Sequence, residues 1–279
     1  MFLSNAHTHS TYCDGKNPPR EMLEAARRLG FVSLGYSSHS EHGVEGSPSA
    51  MTVAKQEAYL ADVRALQKET QDLRIWVGLE ADALCTPEAI ASVRQSTDYF
   101  IGSTHYVRAE GRSDIAAVDG PAERLVQYIA DAFAGDGLAM AQRYFDIQRD
   151  FLLREKPPII GHFDLLRKYA ASYRLFDEES AAYRKMALNA LEASFPCGGV
   201  LEINTGGIAR GYLPLPYPTL ELLCAWREMG GKVTITSDCH NAEYLTCAYD
   251  LAEELVHKAG FRSLMRLGTG DCLWEEIEA

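Results

Sequence analysis

The stretch MFLSNAHTHSTYCDGKNPPREMLEAARRLGFVSLGYSSH, residues 1–39, sets the pattern of the whole chain. Residues 1–7 predict a strand that ends in a histidine. Residues 18–30 predict a helix, because proline stands near its start and glycine just past its end. Residues 31–39 predict a second strand, which also ends in a histidine. A strand, a helix and a second strand in this order are typical of a parallel βα unit.

The same alternation continues through the 279 residues. Residues 54–70 predict a helix, because apolar residues recur three or four positions apart. Each further strand is also followed by a helical stretch, and these strands are 74–82, 99–107, 157–164, 198–207 and 232–240. Residues 177–195 predict a helix with Asp177 as its N-cap. Seven strands favour an α/β barrel closed on itself, and no linker divides residues 1–279, which predicts one domain. A doubly wound open sheet is the main alternative, although the glycine-rich phosphate loop that usually follows its first strand is missing.

Histidines and carboxylates stand where the predicted strands end. In barrels of βα units these carboxyl ends meet at one mouth, where active sites lie. Seven of the eight histidines belong to this set, and only His257, inside the last long helix, does not. The residues at or just beyond the strand ends are His7, His9, His39, His42, Glu80, His105, His162, Glu202, Asn204, Asp238 and His240.

The spacing of these residues favours metal binding. Residues i and i+2 of a strand share a face, so His7 and His9 can reach one ion, as can Asp238 and His240. Imidazole nitrogens and carboxylate oxygens suit zinc, manganese and iron. A carboxylate between two ions can bridge them, and ions about 3.5–4 Å apart form a hydrolytic site. One HxH pair is also compatible with a half-exposed strand, whereas recurrence at six strand ends favours a metal centre.

Composition argues against several other classes of protein. The net charge is −12 and no block rich in Lys or Arg occurs, so we expect no nucleic-acid partner. There is no apolar run of about 18 residues and no secretory pattern, so we expect no membrane partner and a cytoplasmic location. The seven cysteines include no CxxC pair and are predicted to be reduced thiols. Nothing in the sequence predicts the oligomeric state.

Seven stretches carry a more specific signal through their order. They are HTHSTYCDG (7–15), GYSSHSEHG (35–43), VGLEAD (77–82), IGSTHYV (101–107), IIGHFDLLRKY (159–169), LEINTGG (201–207) and TITSDCH (234–240). Together they resemble the polymerase-and-histidinol-phosphatase (PHP) superfamily, in the order of its histidinol-phosphate phosphatase branch, over about residues 1–268. One departure is Ser37-Ser38-His39, where many members have Thr-Asp-His or Ser-Asp-His; it affects the surroundings of the site rather than a usual ligand.

The resemblance implies a distorted (β/α)7 TIM-like barrel with three divalent metal ions, which would be zinc, iron or manganese. By position, the first ion would be held by His7, His9, Glu80 and Asp238. Glu80 would bridge to a second ion, which His105 and His162 would also hold. The third ion would be held by Asp14, His39 and His240.

The resemblance also implies a reaction, the hydrolysis of L-histidinol phosphate to L-histidinol and phosphate in histidine biosynthesis. The nucleophile would be a hydroxide held between the first two ions, which Glu80 would bridge, and Glu80 therefore counts among the catalytic candidates. Asp238 or His240, acting through a bound water, would protonate the leaving group.

Three side chains are candidates for contacts with the substrate. Arg167 and Arg210 lie in matching stretches, and a guanidinium binds phosphate in a bidentate manner. His42 stays open between a metal ligand, a group behind the ligands and a substrate contact. In the loop 109–120, the acidic residues that could face the cationic end of this small substrate are Glu110, Asp114 and Asp119.

Two other functions remain as alternatives. The same metal site could act on another small phosphate ester, a nucleotide or a phosphodiester. The chain could instead be a metal-stabilised scaffold without activity, but loss of activity usually removes ligands, and all nine matching positions carry a usable ligand type.

Overall fold

A computed structural model describes residues 3–44, 47 and 49–279 of the chain. Its strands are β1 (Ser4–Asn5), β2 (Ser33–Tyr36), β3 (Arg74–Asp82), β4 (Tyr99–Ser103), β5 (Tyr106–Val107), β6 (Ala116–Ala117), β7 (Ile159–Ile160), β8 (Val200–Asn204), β9 (Val233–Thr236), β10 (Ser263–Leu267) and β11 (Trp274–Glu278). Its α-helices are α1 (Pro19–Leu29), α2 (Val53–Glu69), α3 (Pro87–Ser96), α4 (Ala122–Phe133), α5 (Gly137–Glu155), α6 (Ala181–Ser194), α7 (Gly206–Ala209), α8 (Leu220–Glu228) and α9 (Tyr249–Ala259). Residues 1–2 of the predicted first strand lie outside the described residues.

Seven strands form one parallel sheet, in the order β1-β2-β3-β4-β7-β8-β9. The two edges of this sheet meet just beyond the strand ends, where Thr8 and Cys239 form a parallel bridge. The His9 amide donates to the Cys239 carbonyl, and the Cys239 amide donates to the His7 carbonyl, both over 2.9 Å. The sheet therefore curls into a nearly closed barrel with helices around it. This confirms the predicted distorted (β/α)7 fold, and the open-sheet alternative is wrong.

A tyrosine fills the barrel interior. Tyr99, the first residue of β4, donates its hydroxyl to the Ala6 carbonyl over 2.6 Å, so its side chain reaches across to the chain that follows β1. The two strands between carry Gly35 and Gly78 on the path of this side chain, and a Cβ at either position would overlap Tyr99. The interior is thus a packed core, as in other barrels of βα units, and not a pore.

The C-terminal hairpin of β10 and β11 covers the amino end of the barrel. Ser33, at the start of β2, donates its hydroxyl to the Leu267 carbonyl over 2.6 Å. Trp76 on β3 donates its indole N–H to the Gly268 carbonyl over 2.8 Å. The carboxyl end, where the histidines lie, is not covered by this hairpin. The sequence analysis did not predict β11, because the charged stretch WEEIE lacks a strand pattern of apolar residues.

The helices begin and end close to the predicted positions, with one correction at α6. Asp177, predicted as the N-cap, instead accepts a hydrogen bond from the Glu179 amide, within the turn that precedes the helix. Ser180 is the N-cap, because its hydroxyl accepts from the Tyr183 amide at the first turn. Among the described residues, no helix is both long enough and apolar enough to span a membrane.

Candidate metal centre

The predicted ligands converge at the carboxyl end of the barrel. Ligand atoms of neighbouring members lie 3.0–3.7 Å apart. The residues brought together are His7, His9, Asp14, His39, Glu80, His105, His162, Asp238 and His240. All are buried except Asp14, which is 44% exposed, and His240, which is 20% exposed. The strand ends thus place nine donors from six parts of the chain around one centre.

The first predicted set has the geometry of a metal site. His7 Nε2 lies 3.3 Å from Glu80 Oε2 and 3.6 Å from Asp238 Oδ1. His9 Nε2 lies 3.5 Å from the same Glu80 oxygen and 3.2 Å from the same Asp238 oxygen. Ligands at about 2.1 Å from a tetrahedral zinc ion are separated by about 3.4 Å. The four measured separations therefore match those of ligands on one ion, and His7, His9 and Glu80 form a group whose ligand atoms all lie within 4.8 Å of one another.

Glu80 presents its other oxygen to a second set. Glu80 Oε1 lies 3.3 Å from His105 Nε2 and 3.1 Å from His162 Nε2. Because Oε2 faces His7 and His9, the carboxylate stands between two groups of imidazoles. This is the position that a bridging ligand occupies in a two-metal site.

A third set lies toward the solvent, around Asp14. Its Oδ1 lies 3.3 Å from His240 Nε2, and its Oδ2 lies 3.7 Å from His39 Nε2. The other nitrogen of His39, Nδ1, lies 3.0 Å from Glu80 Oε2. His39 therefore stands between the Asp14 set and the Glu80 carboxylate.

Several of these ligand atoms are buried without a hydrogen-bond partner. They are His7 Nε2, His9 Nε2, His39 Nδ1 and Glu80 Oε2. Unpaired buried polar atoms destabilise a protein unless something satisfies them. Nitrogen and oxygen donors aimed at shared points are what divalent ions of the zinc, iron and manganese type coordinate. The residues present therefore fit divalent metal ions.

The imidazoles and carboxylates also perturb one another electrostatically. Burial opposes a charge on His7, but Glu202, Glu80 and Asp238 outweigh it and raise the pKa of His7 well above its ordinary value. Burial opposes a charge on Glu80 too, yet the surrounding imidazoles, His7 first among them, hold its pKa well below the usual range. Carboxylates likewise outweigh burial and raise the pKa values of His39 and His105, whereas burial lowers those of His9 and His240.

The backbone at Asp238 is unusual. Its φ of 45° lies in the left-handed region, which is uncommon for residues other than glycine, although aspartate adopts it more often than most. A Cβ on Gly206, which follows β8, would lie 2.9 Å from Asp238 Oδ2, so glycine leaves the space that this carboxylate occupies. Strained backbone of this kind is common at functional sites. Here it accompanies a carboxylate that faces His7 and His9.

Two carboxylates lie behind the ligands and were not assigned a role from the sequence. Glu202 on β8 lies 2.9 Å from His7 Nδ1, on the side of the ring away from Glu80. Asp82, the last residue of β3, accepts from the His105 amide over 2.7 Å and lies 3.4 Å from His105 Nδ1. The sequence analysis placed Glu202 at a strand end without a function. The signal that could have identified both is an acidic residue on a strand whose neighbours supply histidines.

A cavity of about 320 Å³ opens over the centre. The basic residues on its wall are Lys16, Lys168 and Arg210, and Asp119 from the predicted acidic loop lies there too. Arg210 donates to Asp238 Oδ2 over 2.9 Å. Lys168 donates to the Asp119 carbonyl over 2.6 Å. Of the predicted acidic candidates, the other two are not on this wall: Asp114 pairs with Arg112, and Glu110 is exposed.

Two predicted substrate contacts lie elsewhere. Arg167 forms ion pairs with Asp164 and Glu178 and lines a separate cavity, so the structure places this predicted phosphate contact away from the cavity over the centre. The 3₁₀ turn Leu165–Tyr169 points the neighbouring Lys168 into the mouth instead. His42 is 2% exposed, is not among the described residues on the cavity wall, and has no hydrogen-bond partner on either ring nitrogen. Burial lowers the pKa of His42 to about 4.

A (β/α)7 barrel with a buried cluster of histidines and carboxylates at the carboxyl ends of its strands defines a metal-binding barrel protein. The chain belongs to the PHP domain family, whose model matches residues 5–206.

Named relatives and solved structures agree with this family. The probable histidinol-phosphatase of Schizosaccharomyces pombe is 25% identical over 284 residues, which cover 95% of this chain and 90% of that protein. The histidinol-phosphatase of Saccharomyces cerevisiae is 25% identical over 136 residues, 40% of either chain.

Two bacterial structures share the fold. Histidinol phosphate phosphatase from Lactococcus lactis, solved with zinc, L-histidinol and phosphate, superposes with a TM-score of 0.62 at 20% identity, over 96% of this chain and 97% of that chain. The Listeria monocytogenes protein hisK, provisionally assigned as a histidinol phosphatase, superposes with a TM-score of 0.74 at 20% identity, over 89% of this chain and 99% of that chain. At this identity the likeness is one of fold.

Proposed function

We propose that this chain is a metal-dependent phosphomonoesterase that hydrolyses L-histidinol phosphate to L-histidinol and phosphate in histidine biosynthesis. The observation that carries the proposal is the Glu80 carboxylate, whose two oxygens face different imidazoles. Oε2 faces His7, His9 and His39, and Oε1 faces His105 and His162. This is the ligand arrangement of a two-metal hydrolytic centre. The names of the relatives supply the substrate, and the cavity of about 320 Å³ suits a small molecule.

Three ion positions are proposed around Glu80, with zinc, iron or manganese as the ions. His7, His9, Glu80 and Asp238 would hold the first. Glu80, His105 and His162 would hold the second. Asp14, His39 and His240 would hold the third. Ions at such positions supply charge neutralisation for the phosphoryl group and a water of lowered pKa; a bridging hydroxide as the nucleophile stays a prediction.

The cations on the cavity wall would hold the phosphate. Arg210 offers a guanidinium beside the Asp238 carboxylate, and Lys168 offers an ammonium nearby. Phosphoryl transfer depends mainly on positioning and on neutralising charge, which is what these two side chains provide. His240 and Asp238 would direct a proton to the leaving oxygen. Asp119, on the same wall, would face the cationic end of the substrate.

A steady-state assay of phosphate release from L-histidinol phosphate tests the proposal, on protein whose metal content is measured first. A nucleoside monophosphate and an aryl phosphodiester are assayed in parallel. We expect turnover of histidinol phosphate at least tenfold faster than either. Faster turnover of one of the other two compounds would assign the site to that class of substrate. Bound metal without turnover of any of the three compounds would favour a scaffold.

Two variants connect this activity to the cluster. His9→Ala and Asp238→Asn each remove a donor of the first set and are expected to abolish turnover. His257→Ala, on α9 and outside the cluster, is the matched control and should keep wild-type turnover. Near-normal rates in both cluster variants would exclude the site.

A single domain over residues 1–279 and a cytoplasmic location are also proposed.

A further inference from the structure

Glu202 is a fully buried carboxylate that does not face the cavity. It lies on β8 with no exposed surface, and the residues that line the cavity do not include it. Among the described residues, its ion-pair partner is the imidazole of His7. A buried carboxylate costs free energy unless hydrogen bonds satisfy it. The hydrogen-bond donors around Glu202 therefore indicate its role.

Four donors converge on this carboxylate. Oε2 lies 2.9 Å from His7 Nδ1 and accepts from the Thr236 hydroxyl over 2.8 Å. Oε1 accepts from the His162 backbone amide over 2.6 Å and from the Asn204 side-chain amide over 2.8 Å. Both oxygens are thus fully used, and two of the four donors belong to residues that ring Glu80.

The contact with His7 decides which ring nitrogen carries the proton. A carboxylate can only accept, so Nδ1 carries the hydrogen and Nε2 presents its lone pair. His7 Nε2 points at Glu80 Oε2 and Asp238 Oδ1, the first proposed ion position. The opposite tautomer would place an N–H at that point and block coordination.

The contact with His162 acts on the second position. The bond to its backbone amide fixes the chain just beyond β7, and His162 Nε2 lies 3.1 Å from Glu80 Oε1. One buried carboxylate therefore reaches a ligand on each side of Glu80. Asp82, by comparison, contacts only His105 among the ligands.

We propose that Glu202 is a positioning residue that orients His7 and His162 together and so couples the two ion positions that share Glu80. The inference rests on the metal centre of the proposed function, but it does not depend on the substrate. Partners of this kind behind a ligand typically change metal affinity about 10- to 100-fold when they are removed.

Glu202→Gln is a sharp test because neither orientation of the amide fits. With its NH₂ group toward His7, it forces Nδ1 to accept and turns the Nε2 hydrogen toward the ion. With its NH₂ group toward His162, it faces a backbone N–H that cannot rotate away. Asn204 cannot readily reverse its own amide, because its Oδ1 accepts from the Gly206 amide over 2.9 Å.

The experiment measures Zn²⁺ and Mn²⁺ binding to the full chain by competition with a chromophoric chelator, on folded protein checked by circular dichroism. We expect Glu202→Gln to weaken the two tightest ions by about 10-fold or more. Thr236→Val is the matched control, since it removes one hydrogen bond from the same carboxylate but frees no ligand; its metal affinity should stay within about threefold of wild type. Glu202→Asp keeps the acceptors but shortens their reach, and it gives the answer if Glu202→Gln does not fold.

A purely structural role predicts a different result, in which Glu202→Gln and Thr236→Val both lower the melting temperature and neither changes the metal affinity per folded molecule. That result would overturn the proposal, as would wild-type affinity in a folded Glu202→Asp when Glu202→Gln does not fold, or a wild-type chain that binds no metal. Metal binding that weakens as expected in a chain without histidinol-phosphatase activity would keep the role of Glu202 and reject the substrate.

Discussion

Arg210 and Asp238 face each other at the mouth of the barrel, and the two oxygens of the Asp238 carboxylate have different partners. Arg210 donates to Asp238 Oδ2 over 2.9 Å, whereas Asp238 Oδ1 lies 3.2 Å from His9 Nε2. Asp238 thus turns one oxygen toward the proposed ion and the other toward the guanidinium. Arg210 keeps 31% of its side chain exposed, so the same group can also contact a phosphate in the cavity.

Arg210→Ala should raise KM and lower kcat for histidinol phosphate. Charge-assisted hydrogen bonds contribute about 1.5–3 kcal/mol, so kcat/KM should fall about 10- to 100-fold. Arg210→Lys keeps the charge but loses the planar fork, and it should recover only part of the loss. Steady-state kinetics at fixed metal content measure both. Unchanged KM and kcat in Arg210→Ala would exclude a role in phosphate binding.

The convergence of these side chains could be predicted from the sequence because its signal is local. His7 and His9, and likewise Asp238 and His240, are two residues apart at strand ends, and barrel topology brings strand ends together without further information. Glu202 escaped assignment because its function depends on which strand lies beside it and which face of the His7 ring it meets.

The directions of side chains within short turns could not be predicted from the sequence either. Arg167 and Lys168 are adjacent and both basic, and only the 3₁₀ turn decides that Lys168 faces the cavity while Arg167 pairs with Asp164. Asp177 and Ser180 are both good caps, and the first helical residue, which pattern alone does not define, selects Ser180.

Lys168→Met and Arg167→Met should separate substrate binding from stability. Lys168→Met removes a cation from the cavity wall, so KM should rise about tenfold, as for loss of one charged hydrogen bond. Arg167→Met leaves the fully buried Asp164 without its ion-pair partner, and the free energy of unfolding should fall by about 3 kcal/mol, with little change in KM. Kinetics and urea unfolding of both variants give the answer. A raised KM in Arg167→Met, together with an unchanged KM in Lys168→Met, would instead favour Arg167 as the phosphate contact.

Asp14→Ala should remove one ion and leave two. Asp14 lies 3.3 Å from His240 Nε2 and 3.7 Å from His39 Nε2, and it also lies 3.6 Å from Nδ1 of His9, the ring nitrogen that faces away from Glu80. Its loss should therefore weaken mainly the third position. Elemental analysis after dialysis should show a fall of about one ion per chain. Asp114→Ala, an exposed acid outside the site, should leave the content unchanged. Loss of every ion from Asp14→Ala would show that the three positions form one cooperative unit.

Metal binding should release protons and strengthen as the pH rises. Against burial, which favours the neutral imidazoles, carboxylates raise the pKa values of His7, His39 and His105 well above normal, so these rings hold protons near pH 7. An ion must displace them, and each displaced proton makes the affinity increase about tenfold per pH unit below that pKa. Calorimetric titrations in buffers of different ionisation enthalpy count the protons. Binding heats that are independent of the buffer would contradict this expectation.

His42 should make the fold sensitive to acid. Burial lowers its pKa to about 4, whereas an unfolded histidine titrates near 6.5. Between these values the unfolded chain takes up a proton that the folded chain does not, so the free energy of unfolding falls as the pH falls from 6.5 to 4. The full effect approaches roughly 3 kcal/mol. Urea unfolding of the chelator-treated protein should show that His42→Gln gains stability relative to wild type as the pH falls through this range. His257→Gln, on the outer helix, should change the profile little. Parallel profiles for wild type and His42→Gln would mean that His42 titrates normally in the fold, and its burial would then have no linkage to pH.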